Sequence, residues 1–191
     1  MDPRRIDGPW TEGFTLDKHV ESSVPTGGVT PGGHTEFDTR RTELGELVYQ
    51  LKYGGRKDAA RAIAAAASEF VRGRWGEGFD VVVPAPPSVA RPSQPLIQIA
   101  SELADALDRP LITNALNKTK VTAQMKNVNV QDRDTLLREA IQKGPGDIAG
   151  RRVLLIDDVT ESGATLRRSA NVLLADAGAL SVHALVITRT K

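Results

Sequence analysis

VLLIDDVTESGAT, residues Val153 to Thr165, puts an apolar run, two adjacent carboxylates, a hydroxyl-rich turn and a glycine into thirteen residues. Val153 to Ile156 suit a strand buried on both faces, as in a parallel sheet. Asp157 and Asp158 follow at the carboxyl end of that strand. A charged acceptor makes a stronger hydrogen bond than a neutral one, and two neighbouring carboxylates match a vicinal diol such as that of a ribose. The next residues, Thr160, Glu161, Ser162, Gly163, Ala164 and Thr165, lead into a helix beginning near Gly163. Backbone N–H groups, the positive end of the helix dipole and the hydroxyls of Thr160, Ser162 and Thr165 converge there, which suits a phosphate. Gly163 is expected where the backbone approaches the anion closely or takes a positive φ. A plainer alternative has the acids capping the turn and Thr160 or Ser162 capping the helix. It accounts for the parts one by one but not for their order.

The flanking sequence supplies the rest of an α/β pattern. ELGELVYQLKYGG, residues 43–55, places Leu44, Leu47, Val48 and Leu51 at helical spacing and stops at Gly54-Gly55. KDAARAIAAAASEFVRGRWG, residues 57–76, is rich in helix formers, with Ile63, Ala67, Phe70 and Val71 facing a core. Phe79 to Val83 reads as a buried strand ended by Pro84, and Gln94 to Leu107 as an amphipathic helix. Pro110 to Thr113 reads as a short strand. A polar segment from Asn114 to about Thr135 follows, as a hairpin, a lid or both. Gly163 to Ala177 is a helix ended by Gly178, and Leu180 to Thr188 is the last strand. Strands alternating with helices predict a parallel α/β sheet covered on both faces, with ligands beyond the carboxyl ends of its strands.

At 191 residues the chain fits one domain of ordinary size. Its 25 basic and 24 acidic side chains nearly cancel, so net charge asks for neither a nucleic-acid backbone nor an anionic membrane. Cysteine is absent, which removes disulfides, thiolate nucleophiles and cysteine-based zinc sites. No stretch approaches the roughly 18 apolar residues of a membrane span, and no apolar run follows the basic residues near Met1. A cytoplasmic protein without a membrane partner is therefore expected. Residues 1–40 carry proline, glycine and only scattered apolar side chains, and read as an extended or poorly ordered arm. Its Trp10, Phe14 and Phe37 are available to dock on the domain or on a partner subunit, as in a homodimer.

VLLIDDVTESGAT resembles the 5-phosphoribosyl-1-pyrophosphate (PRPP) signature of the type I phosphoribosyltransferases. The resemblance implies an α/β fold with a doubly wound, mostly parallel sheet and a small hood or lid, occupying residues 41–191. It implies that Asp157 and Asp158 contact the ribose hydroxyls and that Thr160 to Thr165 form the 5-phosphate loop. Glu161 stands where the hypoxanthine-guanine branch has an aspartate that handles the proton of the base. Here it is either a general base or a surface carboxylate beside a phosphate. LVYQLKYGG, VVVPAPPSVARPSQPLIQIASELADAL, KTKVTAQ (Lys118 to Gln124) and LVITRTK are similar to the ComF-like phosphoribosyltransferases, including domains fused to some RecQ-type helicases. That branch implies a helicase or DNA-processing partner. It usually carries a cysteine-rich zinc module, which this chain lacks.

By the same resemblance, Pro84 to Gln94 takes the position of the pyrophosphate loop. Its prolines have no N–H, leaving Ala85, Ser88, Val89, Ala90 and Arg91 as donors, with Arg91 the charged one. The alternative is a stiff connection with an exposed arginine. Lys118, Lys120, Lys126 and Arg133 populate the polar segment, where a basic lid would close over pyrophosphate, unless they form a solvated face. The three histidines show no metal-ligand spacing. The reaction so implied is displacement of pyrophosphate from PRPP by a nitrogen nucleophile, with Mg2+ bridging substrate oxygens and reached by Asp157 and Asp158 through water. The other reading is a module that binds PRPP or a nucleotide 5′-phosphate without turnover, linked to DNA uptake or repair.

Overall fold

The computed structural model describes residues 1–30, 32–87, 94–118 and 140–190. In chain order the strands are β1 (Arg4–Arg5), β2 (Glu12–Lys18), β3 (Val20–Val29), β4 (Thr35–Arg41), β5 (Val81–Pro84), β6 (Leu116–Lys118), β7 (Ile141–Lys143), β8 (Arg152–Thr160) and β9 (Ser181–Arg189). The helices are α1 (Glu43–Tyr53), α2 (Ala59–Trp75), α3 (Pro95–Leu107) and α4 (Ala164–Asn171). The central sheet runs β1-β2-β9-β8-β5. Strands β2, β9, β8 and β5 are parallel to their neighbours, and only the two-residue β1 is antiparallel. This is the mostly parallel α/β architecture that the alternation of strands and helices predicts.

Burial explains the composition of the inner strands. Val81–Val83, Val153–Ile156 and Ala184–Ile187 are fully enclosed. A strand covered on both faces needs an unbroken apolar run. Leu154 pairs with His183, and Glu12 with His183, so these side chains share one face. Trp75 of α2 lies on that face against His183, with ring centroids 5.1 Å apart, and Phe70 packs edge-on to Phe14 of β2 at 5.3 Å. Helix α4 packs on β8 and β9, and among the described residues it makes no extended contact with α1, α2 or α3. No helix among the described residues is long and apolar enough to cross a membrane.

Helix α1 is seated by its first turn. Thr42 Oγ1 donates to the carbonyl of Lys18 and accepts the N–H of Gly45 at 3.0 Å. A Cβ at Gly45 would lie 2.0 Å from the carbonyl oxygen of His19, so only glycine lets the helix backbone approach the chain leaving β2 this closely. Gly54 caps the other end, as the sequence predicts.

Four stretches differ from the sequence expectations. Residues 4–18, expected in an arm, enter the central sheet through β1 and β2, with Trp10 and Leu16 buried. The reason is that β2 buries large apolar groups on one face only. Its Thr15 is buried against the Arg189 guanidinium, which also binds the carboxylate of Asp2 at 2.6 Å. Strands β3 and β4 pair antiparallel in a separate two-stranded sheet, in which Phe37 is exposed. At Pro110 to Thr113 only Leu111 pairs with the sheet, bridging Val82, because Pro110 has no N–H to offer and a turn begins at Thr113. The helix after Gly163 is α-helical only to Asn171. It closes through a π-helical turn, Val172–Asp176, in which Ala177 N–H reaches Val172 O at 2.9 Å. Of the expected hairpin or lid, β6 pairs antiparallel with β7, and residues 119–139 lie outside the described residues.

Candidate functional site

A cleft of about 300 Å3 opens at the carboxyl ends of β5 and β8. Pro86, Pro87 and the start of α3 form one wall, Asp157 to Thr165 the other, and Lys52 reaches in from the last turn of α1. Position in the cleft follows from topology: β8 is an interior parallel strand with an apolar middle, so the first polar residues toward its carboxyl end are its two acids.

Asp158 pairs with Lys52, Oδ1 to Nζ, at 2.9 Å, and the two side chains are only 14% and 19% exposed. Asp157 Oδ1 accepts the N–H of Asp158 at 2.9 Å. Burial, and then the Asp158 carboxylate beside it, push the pKa of Asp157 up to about 7, against the opposing pull of the Asp158 N–H, Lys52 and Lys118. Lys118, at the end of β6, is half-buried. Desolvation lowers its pKa and the field of Asp157 raises it, so the two groups lie within electrostatic reach. The Thr188 hydroxyl of β9 donates to the Asp158 carbonyl at 3.2 Å and fixes the strand end from the other side.

The turn after the acids is already organised. Gly163 takes φ 72°, a left-handed conformation that other residues adopt only with strain, and opens α4. Gly163 N–H donates to Thr160 Oγ1 at 3.0 Å, and Ala164 N–H to Ser162 Oγ at 3.4 Å. Hydroxyl oxygens thus accept from the N–H groups at the places that a phosphate oxygen takes in an anion-binding turn. Arg167 of α4 donates to Ser162 O at 2.6 Å and holds the turn from below. Glu161 and Ser162 are exposed at the rim.

Eight of the expected residues, Asp157, Asp158 and Thr160 to Thr165, therefore line a single cleft. Ala85 does not serve as expected. Its N–H is given to Ile156 O at 2.8 Å and its side chain is buried, because the sheet register continues one residue past β5. Ser88, Arg91 and Lys120 lie outside the described residues, as do Val89, Ala90, Lys126 and Arg133. Two groups escaped the sequence reading. Lys52 is one; its only signal is its place on the polar side of a short helix just before Gly54-Gly55. The other is His19, assigned to an arm, whose Nδ1 lies 3.0 Å from Thr188 Oγ1. Burial and the nearby cations of Lys52 and Arg41 lower its pKa.

An acidic pair and a glycine-containing hydroxyl turn at the carboxyl end of a central parallel strand are the marks of the type I phosphoribosyltransferase fold. The chain belongs to the phosphoribosyl transferase domain family, whose model matches residues 55–191. In three dimensions it is similar to the glutamine PRPP amidotransferase of B. subtilis, solved with ADP and GMP, at 21% identity and a TM-score of 0.51. It covers 83% of this chain and 34% of that one. The same coverage and TM-score, at 22% identity, hold for a structure described as the allosteric regulatory enzyme of purine biosynthesis. The chain thus spans about a third of the length of these two enzymes, and the likeness is one of fold. No curated protein matches the chain at a significant level.

Proposed function

We propose that the protein binds PRPP in the cleft and transfers its 5-phosphoribosyl group to a nitrogen acceptor, acting in the cytoplasm. The observation that carries this reading is the convergence of Asp157, Asp158 and the Thr160–Thr165 turn on one cleft. The acids accept the ribose hydroxyls, and the turn exchanges its own hydroxyl partners for the 5-phosphate oxygens. The bond from the anomeric carbon to pyrophosphate breaks, the bond to nitrogen forms, and the nitrogen loses its proton. Glu161, which lines the cleft and is exposed, is the proposed acceptor of that proton. Ser88, Arg91, Lys118 and Lys120 are the proposed partners of the pyrophosphate. Catalysis is then mainly positional and electrostatic.

Magnesium fits the donor set in one way only. Among the described residues no group of three or more His, Asp or Glu side chains is placed to hold a metal. Two neighbouring carboxylates, one already paired with Lys52, do not make a closed cage. Mg2+ keeps several waters and binds through one or two carboxylates plus substrate phosphates. Asp157 and Asp158, reached through water, together with substrate oxygens meet that requirement, and the ion would supply charge neutralisation at the leaving group. The flanking stretches favour the ComF-like branch as the setting.

The test is calorimetry of PRPP with Mg2+, followed by pyrophosphate release across a panel of purine and pyrimidine bases and small amines. Binding with release for at least one acceptor is expected. Binding without release for any would assign the chain to the non-catalytic PRPP- or nucleotide-binding modules instead, and absence of binding would remove the reading altogether.

A further inference from the structure

Among the described residues that line the cleft, Lys52 is the single cation, against the three carboxylates of Asp157, Asp158 and Glu161. The one cation is, moreover, held on an acid: Lys52 Nζ sits 2.9 Å from Asp158 Oδ1, with both groups mostly removed from solvent. A closed pair of this kind leaves neither member fully available to a ligand.

The geometry lets the pair open without moving the fold. Helix α1 is pinned at its start by Thr42, which bonds both the Lys18 carbonyl and the Gly45 N–H, and capped at its end by Gly54, whose N–H reaches Gln50 O. Its last turn is therefore a fixed base for the lysine stem. An ammonium on four flexible carbons carries three rotatable donors and can redirect them within one cavity.

We propose that Lys52 is an exchangeable counter-ion of the acidic pair. Before substrate binds, it neutralises Asp158 and keeps the two carboxylates from holding a divalent cation on their own. When PRPP enters, Asp158 passes to the ribose hydroxyls and the Lys52 ammonium turns to an oxygen of the substrate's phosphates. This deepens the PRPP reading given above and rests on it.

Two titrants separate the possibilities, PRPP in the presence of Mg2+, and Mn2+ alone, each on wild type, Lys52→Met and Lys52→Arg, with folding checked by thermal melting. Lys52→Met is expected to weaken PRPP at least about tenfold, the loss of one charge-assisted contact. The same variant is expected to tighten Mn2+ in the absence of PRPP several-fold, because Asp158 is no longer screened. Lys52→Arg restores the charge, so it is expected to bind PRPP within about threefold of wild type and to keep Mn2+ weak. A purely structural lysine would not move the two affinities in opposite directions. Unchanged PRPP affinity in Lys52→Met, or weaker PRPP with unchanged Mn2+, overturns the proposal. If Lys52→Met does not fold, Lys52→Gln carries the same two expectations. Failure of wild type to bind PRPP defeats the functional reading instead, and the Mn2+ arm still decides whether Lys52 screens Asp158.

Discussion

At the amino end of β8, Arg152 meets Asp80 through its guanidinium, at 2.6 Å from Nη2, and through its own N–H, at 2.9 Å. At the carboxyl end of the same strand, Asp158 meets the Lys52 ammonium at 2.9 Å, with Asp157 beside it. The lower carboxylate is satisfied: the guanidinium and backbone N–H of Arg152 hold the pKa of Asp80 down to about 2. At the upper end, burial and the neighbouring Asp158 carboxylate carry Asp157 up to about 7. Nine residues of one strand thus join an end that stabilises the fold to an end that the fold must support. The difference assigns tasks in a parallel sheet, since ligands gather beyond the carboxyl ends of its strands and the amino ends serve stability.

The strongest way to break this contrast is to empty the upper end. Asp157→Ala/Asp158→Ala removes the ribose acceptors, and PRPP affinity by calorimetry is expected to fall at least about 100-fold without loss of the folded state. Asp157→Asn then isolates the cost of the charge. Asp157 has a folded pKa of about 7 and a reference value of 3.8, so the folded protein binds the proton more tightly than the unfolded chain does. Its contribution to stability therefore falls as pH rises from 3.8 to about 7 and stays low above that. In metal-free buffer with a chelator, Asp157→Asn should melt above wild type at pH 8 and level with it at pH 4. Equal melting at both pH values would mean that the upper end carries no stored cost.

The same contrast explains what the sequence made legible. The upper end of β8 was readable because its chemistry is local: strand, acids, hydroxyls and glycine follow one another from Val153 to Thr165, and the structure folds them into one cleft wall. Lys52 was not readable, since its meaning depends on α1 being docked by Thr42 and Gly45 onto the chain leaving β2, where Thr42 meets Lys18 from 24 residues away, and on a partner, Asp158, in a distant part of the chain. Strand β2 was hidden for a related reason. Only Phe14 and Leu16 show an apolar face, and the polar face is completed by Arg189 from the far end of the chain. Ala85 illustrates the reverse error. A residue in a suitable loop position had its N–H already used by the sheet, a fact set by register and not by residue type.

Just past the carboxyl end of the strand lies a smaller test, that of the turn. Gly163→Ala forces a side chain into φ 72° and places its Cβ 2.9 Å from an Arg167 nitrogen. The conformational cost is about 1 kcal/mol. Moving Arg167 also releases the Ser162 carbonyl that it holds, so PRPP affinity is expected to drop about tenfold along with the melting temperature. A variant that melts lower yet binds normally would show that the turn tolerates rearrangement and that the phosphate is held elsewhere.

The smallest effect belongs to the lower end. Arg152→Met removes the guanidinium from Asp80 but leaves the backbone N–H. The two side chains are 43% and 39% exposed, so solvent screens most of their attraction. A fall in melting temperature of about 2 °C at pH 7 is expected. The sign with pH is opposite to that of Asp157. A folded pKa of about 2 against 3.8 gives stability that is present above 3.8 and lost as pH falls toward 2, so the deficit of Arg152→Met should shrink on acidification. PRPP affinity should not change, because nothing at Asp80 reaches the cleft. If Arg152→Met instead weakened PRPP more than about threefold, the strand would be transmitting strain from one end to the other, and the two pairs would have to be treated as one coupled device.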